Sequence, residues 1–396
     1  ADMGRKRLRV PMKVACGVVR MGHAWLFGRR GMKLKRKSPA WFARAWVLFN
    51  HIFMKALPDY PFDDLTDYGA ASAYEGQARF SLILNNTAAY HRHRHFGPNH
   101  VMRRLVQGLV DIDLPPLVYA NEKAGLDLVM DTLDRPPSLV VLNGEGTLNN
   151  DRPRALMLLN AARDLHARGI PTVLVNTIWQ ENSDDTLALL DHFDLITARE
   201  NKSHAQILRR RPDALLVPDL LLSADMDVAV NSGTGIGVVD SSAREKSLAL
   251  MRYAATQGHP FYAMERRLVN KPHLVRKMGL DAKAIQTPMI GDIFNHHSWV
   301  VGRFQFAMAL LVHGIPFAAQ PTQVHKMQAM LHDADLTGCL LPDDWGDLPT
   351  DAMQMAVQSA LDSWDQAALE RAQDYVKSAQ AKSNDMFAKI AALVSI

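Results

Sequence analysis

The chain is expected to fold as an α/β protein with two doubly wound parallel sheets facing one cleft, a basic helical segment before them and helices after them. Three observations lead there. Short apolar strands alternate with helical stretches from about residue 79. The alternation pauses at the polar loop Asn231-Ser232-Gly233-Thr234 and then begins again. The strands themselves are runs of consecutive apolar residues, the pattern of strands buried on both faces.

In the first unit, strands are expected at residues 80–85, 116–119, 139–145, 172–176 and 195–198. Helices are expected at 99–110, near 123–133, at 154–168 and at 184–193. In the second unit, strands fall at 235–239, 260–264, 299–301 and 316–319, with helices at 243–256 and 303–313. Residues 351–396 read as closing helices, with apolar positions at Met355, Leu361, Trp364, Leu369, Tyr375 and Phe387. The expected divisions are therefore 1–75, 76–230, 231–345 and 346–396.

With 396 residues, 48% of them hydrophobic, the chain has room for two domains and a buried core. No run approaches the roughly 20 apolar residues of a membrane span. Cys16 and Cys339 make neither a disulfide framework nor a zinc site, which fits a reducing cytoplasm. The net charge of +4 hides a division, because residues 1–57 hold 14 Lys or Arg against the single acid Asp2, leaving the body negative. Trp25, Phe27, Trp41, Phe42, Trp46, Phe49 and Phe53 are interleaved with those bases. This mixture suits either an interfacial segment on an anionic membrane or a helical hairpin packed on the body. It suits a nucleic-acid arm poorly, and the polar interruptions at Arg44, Asn50 and His51 argue against a signal peptide.

The chemistry is expected at strand ends, where ligands of open α/β sheets bind. Leu139-Val-Val-Leu-Asn-Gly-Glu-Gly-Thr147 is an apolar strand ending in Glu145 between Gly144 and Gly146, glycines that would let a ligand approach and allow positive φ. Leu215-Leu-Val-Pro-Asp219 ends in a second acid, which is either a cap for the following turn or a partner facing the same cleft. Two acids in one cleft permit paired roles, one as nucleophile and one as proton carrier.

These motifs carry a resemblance. Asn85-Asn86-Thr with His95-Phe-Gly97, then Asn-Gly-Glu145-Gly-Thr-Leu, Val-Pro-Asp219-Leu, Gly302-Arg303-Phe304 and His325-Lys326 stand in the order seen in the polysaccharide pyruvyl transferase superfamily, over residues 80–340. Within it the chain resembles the retaining β-Kdo glycosyltransferases, in which a Gly-Glu-Gly glutamate and an aspartate 74 residues later, the separation of Glu145 and Asp219, are the catalytic acids. The resemblance implies two Rossmann-like domains in a GT-B-like arrangement and a CMP-activated ulosonic acid, Kdo or a relative, as donor. It implies a cell-surface polysaccharide or glycolipid acceptor, no bound metal or other cofactor, and a bacterial cytoplasmic setting, with residues 1–57 on the inner membrane if they are interfacial. Asp219 would be the nucleophile of a double displacement and Glu145 the acid/base. Donor contacts would come from Asn86, His95, Gly144, Gly146, Thr147, Asp240, Ser241, Arg303, Gln305, His325 and Lys326.

One departure separates this chain from pyruvyl transfer with phosphoenolpyruvate. Much of the superfamily has His after Gly-Arg-Phe, and here Gln305 stands, an amide that donates a hydrogen bond but supplies no proton at neutral pH. His91, His93 and His95 alternate as metal ligands on a strand would, yet without a nearby acid or Cys they read better as a cationic rim. Gly233-Thr-Gly-Ile-Gly237 precedes its strand and so fails as a dinucleotide loop. A pyruvyl transferase and a non-catalytic module of a polysaccharide assembly are the rival readings.

Overall fold

The computed structural model describes residues 78–85, 96–120, 130, 133, 135–226, 233–264, 275–276, 279–281, 285, 290–322 and 324–394. The basic segment, most of the helix expected near 123–133, Asn86 and His95 lie outside the described residues.

Among these residues the chain forms two wholly parallel sheets. The first contains β1 (Ser81–Asn85), β2 (Pro116–Ala120), β3 (Leu139–Glu145), β4 (Thr172–Thr177), β5 (Leu195–Ala198) and β6 (Leu215–Leu216), in the order β2-β1-β3-β4-β5-β6. The second contains β7 (Ile236–Ser241), β8 (Phe261–Tyr262), β9 (Ser298–Gly302) and β10 (Phe317–Ala319), in the order β10-β9-β7-β8. Each order reverses once, between β1 and β3 in the first sheet and between β7 and β9 in the second. The carboxyl ends of those strands therefore flank the crevices where open α/β sheets place their ligands.

The strands are buried on both faces, as their continuous apolar runs require. Along β3, Val140 and Leu142 join a core under α2 (Pro153–His166), while Leu139 and Val141 face the opposite way. Val238, Val300 and Ala318 pack with Leu250 and Tyr253 of α5 (Arg244–Gln257) and with Trp345. Inner residues of both sheets meet in one continuous core, so the two units share apolar packing. Further members come from α1 (Phe96–Val110), the 3₁₀ turn Leu220–Ser223, α6 (Phe304–Val312) and α9 (Gln366–Leu393), among others.

Several expectations shift in detail. The helix expected at 184–193 is α3 (Asp184–Ala188), capped by Ser183 Oγ accepting from the Thr186 N–H, followed by the 3₁₀ turn Leu189–His192. Two helices absent from the sequence reading are present, α4 (Asn201–Leu208) and α7 (Lys326–Asp333). The closing helices are α8 (Thr350–Asp362) and α9, the latter capped by Asp365; Phe387 is buried as expected, whereas Met355 points to solvent at 73% exposure.

At Gly108 α1 and α9 approach closely, since a Cβ there would lie 2.2 Å from Cζ of Phe387 on α9. Gly108→Ala gains about 1 kcal/mol of helix propensity but overpacks the core at about 1–3 kcal/mol. The urea midpoint is expected to fall; an unchanged or raised midpoint would show that Phe387 yields at no cost.

Candidate functional site

Glu145 closes β3 beside the reversal point of the first sheet and is buried. Its own backbone takes the left-handed conformation (φ 48°), as does Asn176 on the neighbouring strand (φ 53°), and the pairing of β4 with β5 shifts register there. A non-glycine residue at positive φ is strained, and such strain persists where surrounding structure holds it, often at functional sites. The positive φ thus belongs to the glutamate, not to the glycines beside it. The missing side chain of Gly144 serves packing, since a Cβ there would lie 2.4 Å from Thr177 Oγ1. Gly146 does open on the site, with Lys326 Nζ 3.7 Å and Arg199 Nη2 3.8 Å from where its Cβ would be.

Asp219 fills both roles that its sequence left open. It caps the turn Leu220–Ser223, Oδ1 accepting from the Leu221 N–H at 3.0 Å, and its other oxygen enters the Glu145 site. The link is Arg199, directly after β5, whose Nη1 donates to Asp219 Oδ2 at 2.7 Å and to Glu145 Oε2 at 3.3 Å. All three side chains are nearly inaccessible. Asn176 braces the same corner, its Oδ1 accepting from the Leu220 N–H at 3.1 Å. Sequence reading missed Arg199 and Asn176, although each is a polar residue ending or following an apolar strand, the signal that identified Glu145.

The second sheet contributes from its own reversal point. Arg303 donates to both oxygens of the buried Asp240, Nε at 2.8 Å and Nη2 at 2.7 Å, so these two expected donor contacts hold each other. Ser241 is committed to the turn before α5, its Oγ accepting from the Ala243 N–H. Phe304 lies beneath two cations, with the Arg199 guanidinium carbon 4.7 Å and Lys326 Nζ 5.4 Å from its ring centre. Gln305 reaches across to Glu145, Nε2 donating to Oε2 at 3.2 Å. His325 sits apart from the acids, its Nε2 3.0 Å from Glu200 Oε1 and 3.3 Å from Ser203 Oγ. Thr147 closes the turn after β3 through its N–H to the Gly144 carbonyl.

Burial pushes the Glu145 carboxyl up to about 7, the Asp219 charge adding to the effect while Arg199, Lys326 and a hydrogen bond from Asn143 oppose it. Burial likewise pulls Lys326 down to about 8, with Arg199 adding and the two acids opposing. The Lys326 side chain keeps some exposure, but its ammonium end is crowded by protein and forms no salt bridge among the described residues. Arg199 Nε and Asn176 Nδ2 are buried donors without an acceptor there. The site therefore presents two acids, two cations and spare donors, an arrangement suited to an anionic ligand and to proton transfer near neutrality.

No family model matches the chain, and no curated protein matches it in sequence. Solved structures similar to it include the glycotransferase of kitacinnamycin, at 11% identity over 80% of this chain and 99% of that one, TM-score 0.49. An α,α-trehalose-phosphate synthase (UDP-forming) from Burkholderia vietnamiensis is 12% identical over 76% of this chain and 88% of that one, TM-score 0.42. The N-terminal domain of a trehalose-6-phosphate phosphatase from Candida albicans is 8% identical over 79% and 96%, TM-score 0.43.

The two shifts have opposite linkage. Glu145 is raised above 4.5, so the folded state holds its proton more tightly and loses stability as pH rises from about 4.5 through 7. Lys326 is lowered below 10.5, so its destabilisation is present below about 8 and is relieved as pH rises toward 10.5. In thermal melts, Glu145→Gln should gain on the parent between pH 5 and pH 8; a constant difference would show that Glu145 titrates normally.

Proposed function

We propose that the chain is a retaining glycosyltransferase that moves Kdo or a related ulosonic acid from its CMP-activated form to a saccharide or glycolipid acceptor. Asp219 is the nucleophile and Glu145 the proton carrier. The observation that carries this reading is the single guanidinium nitrogen of Arg199 bound to both acids. Contacts of 3.3 and 2.7 Å to one atom keep the two carboxylate oxygens within 6.0 Å, the sum of the two distances. Carboxyl groups serving retention through an adduct stand about 5–5.5 Å apart, against about 6.5–9.5 Å where a water must fit between them.

In the first step an Asp219 oxygen attacks the anomeric carbon of the donor. An O–C bond forms, the bond from that carbon to the phosphate breaks, and CMP leaves with the electron pair. Positive charge that builds on the ring is countered by the aspartate. In the second step the acceptor oxygen attacks the same carbon, the bond to Asp219 breaks, and Glu145 takes the hydroxyl proton. Held at about 7, Glu145 can both take and return that proton near neutral pH. Lys326 and Arg199 supply charge for the carboxylate on the anomeric carbon or for the phosphate.

Both acids are buried, at 1% and 4% exposure, so donor entry needs the Phe304 and Lys326 side to move away from Glu145. In this reading the two sheets flank the donor, and residues 1–57 dock on an anionic membrane that carries the acceptor. Among the described residues no helix is long and apolar enough to cross a membrane.

Incubation with CMP-Kdo and an acceptor is expected to release CMP and transfer the sugar. Asp219→Asn should lose about 10³-fold or more of turnover and Glu145→Gln about 10²–10⁴-fold. Intact-protein mass spectrometry after donor addition should find one ulosonic acid on a peptide containing Asp219. An adduct elsewhere, or full activity in Asp219→Asn, would overturn the nucleophile. Turnover of phosphoenolpyruvate in place of CMP-sugars would replace the donor class.

A further inference from the structure

We infer that Gln305 is a positioning residue for Glu145: its amide, seated in a notch left by Gly97, holds the carboxylate through a hydrogen bond that suits either protonation state. Three consecutive residues at the start of α6 are fixed in turn. Arg303 is clamped by Asp240, the Phe304 ring lies under the cations of Arg199 and Lys326, and Gln305 Nε2 meets Glu145 at 3.2 and 3.5 Å. Opposite them stands Gly97, in the first turn of α1. A Cβ there would lie 2.5 Å from Gln305 Cβ, 2.6 Å from its Oε1 and 2.7 Å from its Cδ, so any side chain at position 97 drives Gln305 out of place.

The chemistry of an amide explains why this residue type fits. Its NH₂ donates to a carboxylate and its oxygen accepts from a carboxylic acid, so it serves Glu145 before and after proton transfer without changing charge. The charged groups facing Glu145 are Asp219 from the capped turn, Arg199 from the end of β5 and Lys326 from α7. A cation at position 305 would add to the two already present and hold Glu145 ionised. A histidine there would titrate in the same range and couple its proton to that of Glu145. Gln305 leaves most of the proton affinity of Glu145 to those charged groups and adds one donated hydrogen bond, which favours the carboxylate modestly while fixing where it points.

The kinetic part of this inference rests on the reading of Glu145 as proton carrier, and its structural part does not. The test is carbon NMR of protein labelled at glutamate side-chain carboxyls, with the Glu145 signal assigned from its absence in Glu145→Gln. Gln305→Met keeps the side-chain length and removes the donor, and should raise the Glu145 midpoint by about 0.5–1 pH unit, the equivalent of one hydrogen bond to a carboxylate. Gly97→Ala should raise it in the same direction, and the double variant should move no further than Gln305→Met alone. An unchanged midpoint in Gln305→Met, or a Gly97→Ala shift that adds fully to it, would overturn the inference. Gln305→Asn, a smaller change that also breaks the contact, covers the case in which Gln305→Met fails to fold. With CMP-Kdo as substrate, the acid limb of the rate against pH should follow the NMR midpoint. A midpoint that moves while that limb stays still would uphold the positioning role and reject Glu145 as the proton carrier.

Discussion

Two carboxylates buried side by side repel each other strongly, and Arg199 is the cation set between them. Its Nη1 binds Asp219 and Glu145 at once in a site closed to water, where charge interactions are strong and an unpaired charge is expensive. The arrangement explains why the three residues come from three strand ends of one sheet. β3 delivers Glu145, β5 delivers Arg199, and the turn after β6 delivers Asp219, all on the carboxyl edge. Parallel strands place their carboxyl ends on the same side, so residues far apart in the chain arrive together without a special fold to carry them.

The local backbone is bent to make that meeting possible. Glu145 and Asn176 both take left-handed conformations at adjacent strand ends, and Gly144 is reduced to a hydrogen so that Thr177 can pack against the strand. The second sheet completes the environment through α6 and α7. Phe304 supplies an aromatic face for both cations, Lys326 supplies a charge without a salt-bridge partner among the described residues, and Gln305 meets Glu145 directly. The same unit is tied to the first by polar contacts away from the acids, His325 with Glu200 and Asp333 with the Asn201 N–H. On the other side the units share a continuous apolar core. Packing therefore joins them firmly on one side, and hydrogen bonds join them on the side of the site.

What could be read from the chain followed from how local the signal was. Glu145 and Asp219 stood out because a charged residue at the end of an apolar run is visible in a few residues, and Arg199 and Asn176 carry the same mark and were legible in principle. The parallel sheets were legible because apolar runs and helices alternate. The partners of Arg303, Gln305 and His325 were not legible. The Arg303 contact depends on the pairing of β7 with β9, and those of Gln305 and His325 on how closely the two sheets approach, across more than a hundred residues of separation. The role of Gly144 was hidden for a similar reason, since what its missing Cβ would strike belongs to another strand. α4 starts at an uncommon cap, Glu200, and α7 at His325 without a side-chain cap, so neither start carries the Ser, Thr, Asp or Asn signal of a helix N-terminus.

Burial also brings two proton affinities in this site close together. In water a glutamate near 4.5 and a lysine near 10.5 are far apart, and a proton shared between them stays on the lysine. Burial acts on the two in opposite senses, raising one to about 7 and lowering the other to about 8, because each is penalised in its charged form. Asp219 and Arg199 are instead tied to each other, Arg199 Nη1 donating to Asp219 Oδ2 at 2.7 Å while the Leu221 N–H donates to Asp219 Oδ1 at 3.0 Å. The two groups whose proton affinities burial brings together are therefore Glu145 and Lys326. Burial thus leaves an acid and a base poised near neutrality beside a carboxylate that an arginine and a backbone N–H hold in place.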